Sequence, residues 1–145
     1  MPIAGKKPNT DQLLPGLVIV AIDDERDFLA TLQDILESEG AKVYTSLTAT
    51  DGLQLVEQIK PHLVLTDYTM SPYDGLYVAN QIKSNIYLRH IPVVFLTGSG
   101  DSARNSAFAA GAEQYLHKPL DFNAFMQLTA LEDILPQLRG LNNLK

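Results

Sequence analysis

The stretch LVLTDYTMSPYDG, residues 63–75, sets a short apolar run against a single carboxylate. With His62 before it, the run HLVLT (62–66) reads as a strand. The run ends on Asp67 and enters a loop holding Ser71, Pro72 and Gly75. A buried strand has no use of its own for an acid at its end. Either Asp67 is an ordinary turn residue, a position where Asp is common, or the strand exists to hold that carboxylate in place.

Working outward, the same grammar repeats on both sides. LVIVAI (17–22) is an apolar run of strand length, followed by DDERDFLATLQDILESEG, in which Phe28, Leu29, Leu32, Ile35 and Leu36 fall at helical spacing before Gly40. AKVYTS (41–46) reads as a strand. Thr50 or Asp51 is expected to cap a helix carrying Leu53, Val56 and Ile59 that Pro61 closes. HLVLT (62–66) is a strand, 75–84 a helix, IPVVFLT (91–97) a strand, DSARNSAFAAG (101–111) a helix and EQYLH (113–117) a strand. The spacing predicts a last helix over 121–135, stopped by Pro136. Five strands alternating with five helices predict an α/β fold. Right-handed crossovers give a parallel sheet covered on both faces. Residues 1–15, with three prolines, read as a flexible lead-in, 16–135 as the folded domain, and 136–145 as a frayed tail.

Composition narrows the function classes. The 145 residues are 46% hydrophobic and carry 17 acids against 11 bases, a net charge of −6. That is a poor footprint for direct contact with nucleic-acid phosphates, which calls for clustered Lys and Arg. There is no cysteine, which excludes disulfides and thiolate chemistry. No apolar run approaches the length of a membrane span, and the start does not read as a secretory signal, so a cytoplasmic location is expected.

In an open parallel sheet, functional groups collect beyond the carboxyl ends of the strands. The expected strand ends bring Asp23 and Asp24, Asp67, Thr97 and Lys118 to one edge. Singly, each has a bland reading: the Asp pair as a helix cap, Thr97 as a loop hydroxyl, Lys118 as a solvated surface lysine. Together they would require four independent loops to place matched polar groups on one edge. Clustered acids raise one another's pKa unless a cation sits among them. Hard oxygen ligands favour Mg²⁺ over zinc. A divalent ion, a lysine and a hydroxyl also suit phosphoryl transfer, with one carboxylate as the nucleophile. His62, His90 and His117 are scattered and indicate no metal site.

With IDDE (22–25), LVLTDYTM (63–70), Gly75, FLTG (95–98) and GAEQYLHKPL (111–120) in order, the chain resembles a response-regulator receiver domain of two-component signalling, of the single-domain chemotaxis type. The resemblance runs from about Leu17 to Leu135 and implies a flavodoxin-like strand order 2-1-3-4-5. It implies that Asp67 is the phosphoacceptor, that Asp24 is the main acidic ligand of Mg²⁺ (or Mn²⁺), that Asp23 holds the ion through water, and that the backbone carbonyl of Thr69 is a further ligand. Lys118 would pair with Asp67 and then with the phosphoryl oxygens, through a cis bond to Pro119. Thr97 would hydrogen-bond the phosphoryl group, and Tyr115 would rotate into the space Thr97 leaves. Thr69 and Ser99 would tune the loss of the phosphoryl group to water.

The implied donor is a histidine kinase or histidine phosphotransfer protein, and the implied output a downstream protein effector, with no nucleic acid or membrane contacted directly. Catalysis would be limited to Mg²⁺-dependent self-phosphorylation and autodephosphorylation. Monomer or weak dimer is expected, the latter through Leu138, Leu141 and Leu144. Two alternatives stand beside this: a receiver-like module that works by protein contact alone, and a haloacid-dehalogenase-type phosphatase. The phosphatase family wants a second Asp where Thr69 stands. One departure from the receiver pattern is the loop after Met70, where Ser71 displaces the usual proline by one position, to Pro72.

Overall fold

A computed structural model describes residues 11–98 and 100–143, without the side chains of 141–143. The chain runs β1 (Val18–Ile22), α1 (Arg26–Glu37), β2 (Lys42–Ser46), α2 (Ala49–Ile59), β3 (Leu63–Thr66), α3 (Gly75–Ser84), β4 (Val93–Thr97), α4 (Arg104–Ala109), β5 (Gln114–His117), α5 (Phe122–Met126) and α6 (Thr129–Asn143). All strand pairs are parallel and the sheet order is β2-β1-β3-β4-β5, as expected.

Alternation along the strands divides the core in two. Ile19, Ala21, Leu63, Leu65, Val94 and Leu96 face one side, with Leu29, Leu32 and Leu36 of α1 and Phe125, Leu131 and Leu135 of α5 and α6. Val20, Ile22, Val64, Val93, Phe95 and Tyr115 face the other, with α2, α3 and α4. Each central strand is therefore apolar on both faces, which is why its sequence reads as a continuous run.

The helix boundaries differ from the expected ones where side chains find other partners. The cap of α2 is Thr48, earlier than Thr50 or Asp51: it is extended, and its hydroxyl accepts the Asp51 N–H at 3.2 Å. That leaves Asp51 in the first turn, where its charge favours the helix dipole. Helix α4 is shorter than 101–111, since Asp101 spends its carboxylate on His117 and Arg104 instead of capping.

The helix expected over 121–135 is two. It breaks at Gln127–Leu128 and resumes as α6, which carries Pro136 in its interior. Proline removes the N–H that the Glu132 carbonyl would accept, but Glu132 and Pro136 are exposed, where water can satisfy that carbonyl. Beyond the proline, Leu138 packs on the core and the Arg139 guanidinium donates to the Leu13 carbonyl at 3.0 Å. Residues 136–143 are thus helical, where a frayed tail was expected. Leu138 is half-buried in its own chain; Leu144 and the Leu141 side chain lie outside the described residues.

The lead-in expected over 1–15 lies outside the described residues as far as Thr10. From there it is tied down: Leu14 is fully buried and its N–H donates to the Glu39 carbonyl at 2.8 Å.

Candidate functional site

Strand register builds the site. Ile22 of β1 pairs with Thr66 of β3, so the next residues, Asp23 and Asp67, emerge side by side at the carboxyl edge. Thr97 of β4 pairs with His117 of β5, so Lys118 leaves from the same edge. β1 and β3 flank the point where the chain stops building outward to β2 and turns back, the switch point at which open sheets form a crevice. Asp23, Asp67 and Thr97 are all buried, at 2%, 6% and 0% exposure.

Lys118 closes the group. Its ammonium lies 2.7 Å from Asp23 Oδ2, 2.7 Å from Glu25 Oε1 and 3.4 Å from Asp67 Oδ2, over the Phe28 ring at 4.4 Å. Asp23 spends Oδ1 on the Glu25 N–H (2.8 Å), while its pair with Lys118 lies outside hydrogen-bond direction, leaving buried Oδ2 with no hydrogen-bond partner. Asp67 Oδ1 accepts the Tyr68 N–H at 2.8 Å. Burial raises the Asp23 pKa, the Lys118 contact opposes it, and the Asp67 charge adds to the rise. For Lys118, burial works against the charge, but the contacts with Asp23 and Glu25 outweigh it and hold the pKa above its ordinary value.

The donor set suits a small hard dication. Carboxylate oxygens of Asp23, Glu25 and Asp67 lie within 4.8 Å of one another, and buried Asp23 Oδ2 is ion-paired to Lys118 without accepting a hydrogen bond. Asp24 is exposed and outside this group. Glu25 is extended, and along extended backbone side chains alternate, so Asp23 and Glu25 share a side that Asp24 does not. Listing strand-end acids passed over Glu25; the alternation in DDE was the signal that could have found it.

The other anticipated residues sit around this cluster. Thr69 is exposed in the loop after β3, and Ser99 lies outside the described residues. Tyr115 is buried and its hydroxyl donates to the Gly100 carbonyl at 2.6 Å, across the loop that follows Thr97. Burial, with Asp101 nearby, pushes its phenol above the ordinary range. Arg104 stacks on the ring at 5.1 Å and His117 meets its edge. The Lys118–Pro119 bond is cis, and so is Ser71–Pro72 in the loop where the sequence departs from the family pattern. Gly75 has no room for a side chain: a Cβ there would overlap the Asp67 carbonyl oxygen and lie 2.9 Å from Phe95. No described helix is long and apolar enough to cross a membrane.

Comparison with known proteins agrees with this geometry. The family model for the response regulator receiver domain matches residues 19–130. PilG of Pseudomonas aeruginosa is 30% identical over 112 residues, 75% of this chain and 82% of PilG. Among curated relatives, the chain spans from 17% to 93% of the relative's length. A response regulator receiver domain protein from Clostridium thermocellum is similar at a TM-score of 0.72, with 29% identity over 86% of this chain and 98% of that one. The BeF3-activated DrrB receiver domain matches at a TM-score of 0.66, with 27% identity over 77% of this chain and 92% of that one.

Proposed function

The chain belongs to the response regulator receiver family, and we propose that it is switched by transfer of a phosphoryl group from a phosphohistidine to Asp67. The observation that carries this reading is the buried Asp67 carboxylate at the end of β3, beside Asp23 and sharing the Lys118 ammonium with it. A carboxylate oxygen of Asp67 attacks phosphorus, an O–P bond forms, the N–P bond of the donor breaks, and the imidazole leaves and takes a proton. Lys118 is within reach to neutralise the phosphoryl oxygens, and Thr97 stands at the neighbouring strand end to hydrogen-bond them. A Mg²⁺ or Mn²⁺ ion supplies charge neutralisation of the incoming group. Asp23, Asp67 and the Thr69 carbonyl would hold that ion, with Asp24, exposed and outside the cluster here, turning inward to join them.

The donor is a histidine kinase or histidine phosphotransfer protein, and the output passes to a protein effector. The Tyr115 contact with Gly100 supports a link from the site to the α4–β5 surface, since movement of the loop after Thr97 must alter or break it. Thr69 and Ser99 flank the acceptor and would tune its hydrolysis. No further enzymatic activity and a cytoplasmic location are part of this reading. The test is exposure to a small acyl-phosphate donor with Mg²⁺: the wild type takes up one phosphoryl group and Asp67→Asn takes up none. Equal uptake by both proteins would sink the reading.

A further inference from the structure

Lys118 is closer to two other acids than to the acid the mechanism needs it to serve. Its ammonium donates to both Glu25 Oε1 and Asp67 Oδ2, but at 2.7 Å to the first and 3.4 Å to the second. Glu25 stands at the N-cap of α1 but makes no capping bond, so its carboxylate is committed to the lysine and not to the helix end. Phe28, three residues on, packs under the same ammonium. Lysine, ring and acid together hold the charge toward the α1 side of the crevice. The Glu25 side chain is 64% exposed and that of Lys118 only 13%, so the acid can swing to solvent while the lysine cannot.

We infer that Glu25 is a positioning residue for the phosphoryl site: it draws Lys118 toward α1, leaving only the longer contact with Asp67 in the resting protein, and must release it for Lys118 to engage a phosphoryl group fully. This rests on Asp67 being the acceptor. The contact opposes the switched state, because an ammonium paired to Glu25 is withheld from the incoming oxygens. Removing it tilts the two-state balance toward the switched form, by no more than the differential contact is worth. The same residue sets how readily the protein responds to a weak donor.

The test uses beryllofluoride, a phosphoryl mimic, titrated with Mg²⁺ into wild type, Glu25→Gln and Asp27→Asn and followed by fluorine NMR. Mg²⁺ affinity alone and thermal midpoint are measured in parallel. Asp27 lies in the first turn of the same helix and is exposed, so its substitution removes an equal charge nearby without a Lys118 contact. Glu25→Gln is expected to capture beryllofluoride roughly three- to fivefold more tightly, the change an ion pair with one exposed partner corresponds to. Capture is compared at saturating Mg²⁺, which separates it from any share Glu25 has in holding the ion; the midpoint should fall only slightly, and Asp27→Asn should capture as wild type does. Equal or weaker capture by Glu25→Gln at saturating Mg²⁺, or equal tightening in Asp27→Asn, would each overturn the inference. If wild type itself fails to capture beryllofluoride, the reading of Asp67 falls and this inference with it. Capture by wild type with no gain in Glu25→Gln removes the inference alone.

Discussion

Asp23 Oδ2 and Lys118 Nζ lie 2.7 Å apart, one almost wholly buried and the other nearly so, yet the contact leaves the Asp23 oxygen without a hydrogen bond. A buried charge arranged this way burdens the fold: its desolvation is only partly offset. Stability does not account for an acid at the end of β1.

Opposite effects are therefore expected from the two partners. Burial raises the Asp23 pKa, so the folded state binds its proton more tightly than the unfolded chain does. The stability this confers is present below the ordinary value of 3.8 and is lost as pH rises through the elevated pKa. Asp23→Asn removes that burden and should stabilise the protein by about 1–2 kcal/mol near neutral pH, with little difference near pH ~4. Lys118 keeps Glu25 and Asp67 in that variant. Lys118→Met instead leaves Asp23 and Asp67 without a cation and should cost about 2–3 kcal/mol near pH ~7. Urea unfolding at both pH values measures the four differences.

His62 accepts the Val18 N–H on Nδ1 at 2.9 Å, which requires that nitrogen to be unprotonated. Burial lowers its pKa below 6.5, so the folded state binds the proton less tightly than the unfolded one. Stability is present above the unfolded value and is lost as pH falls through the depressed one. His62→Asn keeps an acceptor and removes the titration. Its thermal midpoint should fall less than that of wild type between about pH 7 and about pH 5.

Leu14 makes the segment before β1 part of the fold. It is fully buried among Leu17, Leu36 and their neighbours. Leu14→Ala should cost about 2–4 kcal/mol in denaturant unfolding. A flexible lead-in would give no measurable change.

Gly75 controls the approach of α3 to Asp67. Gly75→Ala would drive a methyl group into the Asp67 carbonyl oxygen and the Phe95 ring. Backbone and a fully buried aromatic give way poorly, so a loss of about 1–3 kcal/mol is expected. Slower uptake of an acyl phosphate should accompany it, since the displaced atom belongs to the proposed acceptor, Asp67. Stability and uptake rate measured on one preparation check both.

The sheet was legible because each central strand is apolar on both faces and each is punctuated by a Gly or Pro. Leu63–Thr66 and Val93–Thr97 could be little else. Strand ends in such a sheet share an edge, which brought Asp23, Asp24, Asp67, Thr97 and Lys118 into one list; of these the structure leaves Asp24 exposed and outside the acidic cluster. Helix ends were less so, since Thr48, Asp101 and Pro136 are decided by contacts distant in sequence. An interior proline reads as a stop, and only the packing of Leu138 and the Arg139–Leu13 bond show why the helix continues. Glu25 was obscured for a different reason. Its importance lies in a lysine 93 residues away, and spacing alone does not report which of three successive acids turns toward it.

The central claim is that Asp67 carries the phosphoryl group, and the most direct measurement is to find it there. Wild-type protein treated with an acyl-phosphate donor and Mg²⁺, then reduced with borohydride and mapped by peptide mass spectrometry, should show the reduced side chain at residue 67 and at no other acid. The same modification at Asp23, Asp24 or Glu25, or its persistence elsewhere in Asp67→Asn at undiminished yield, would contradict the account.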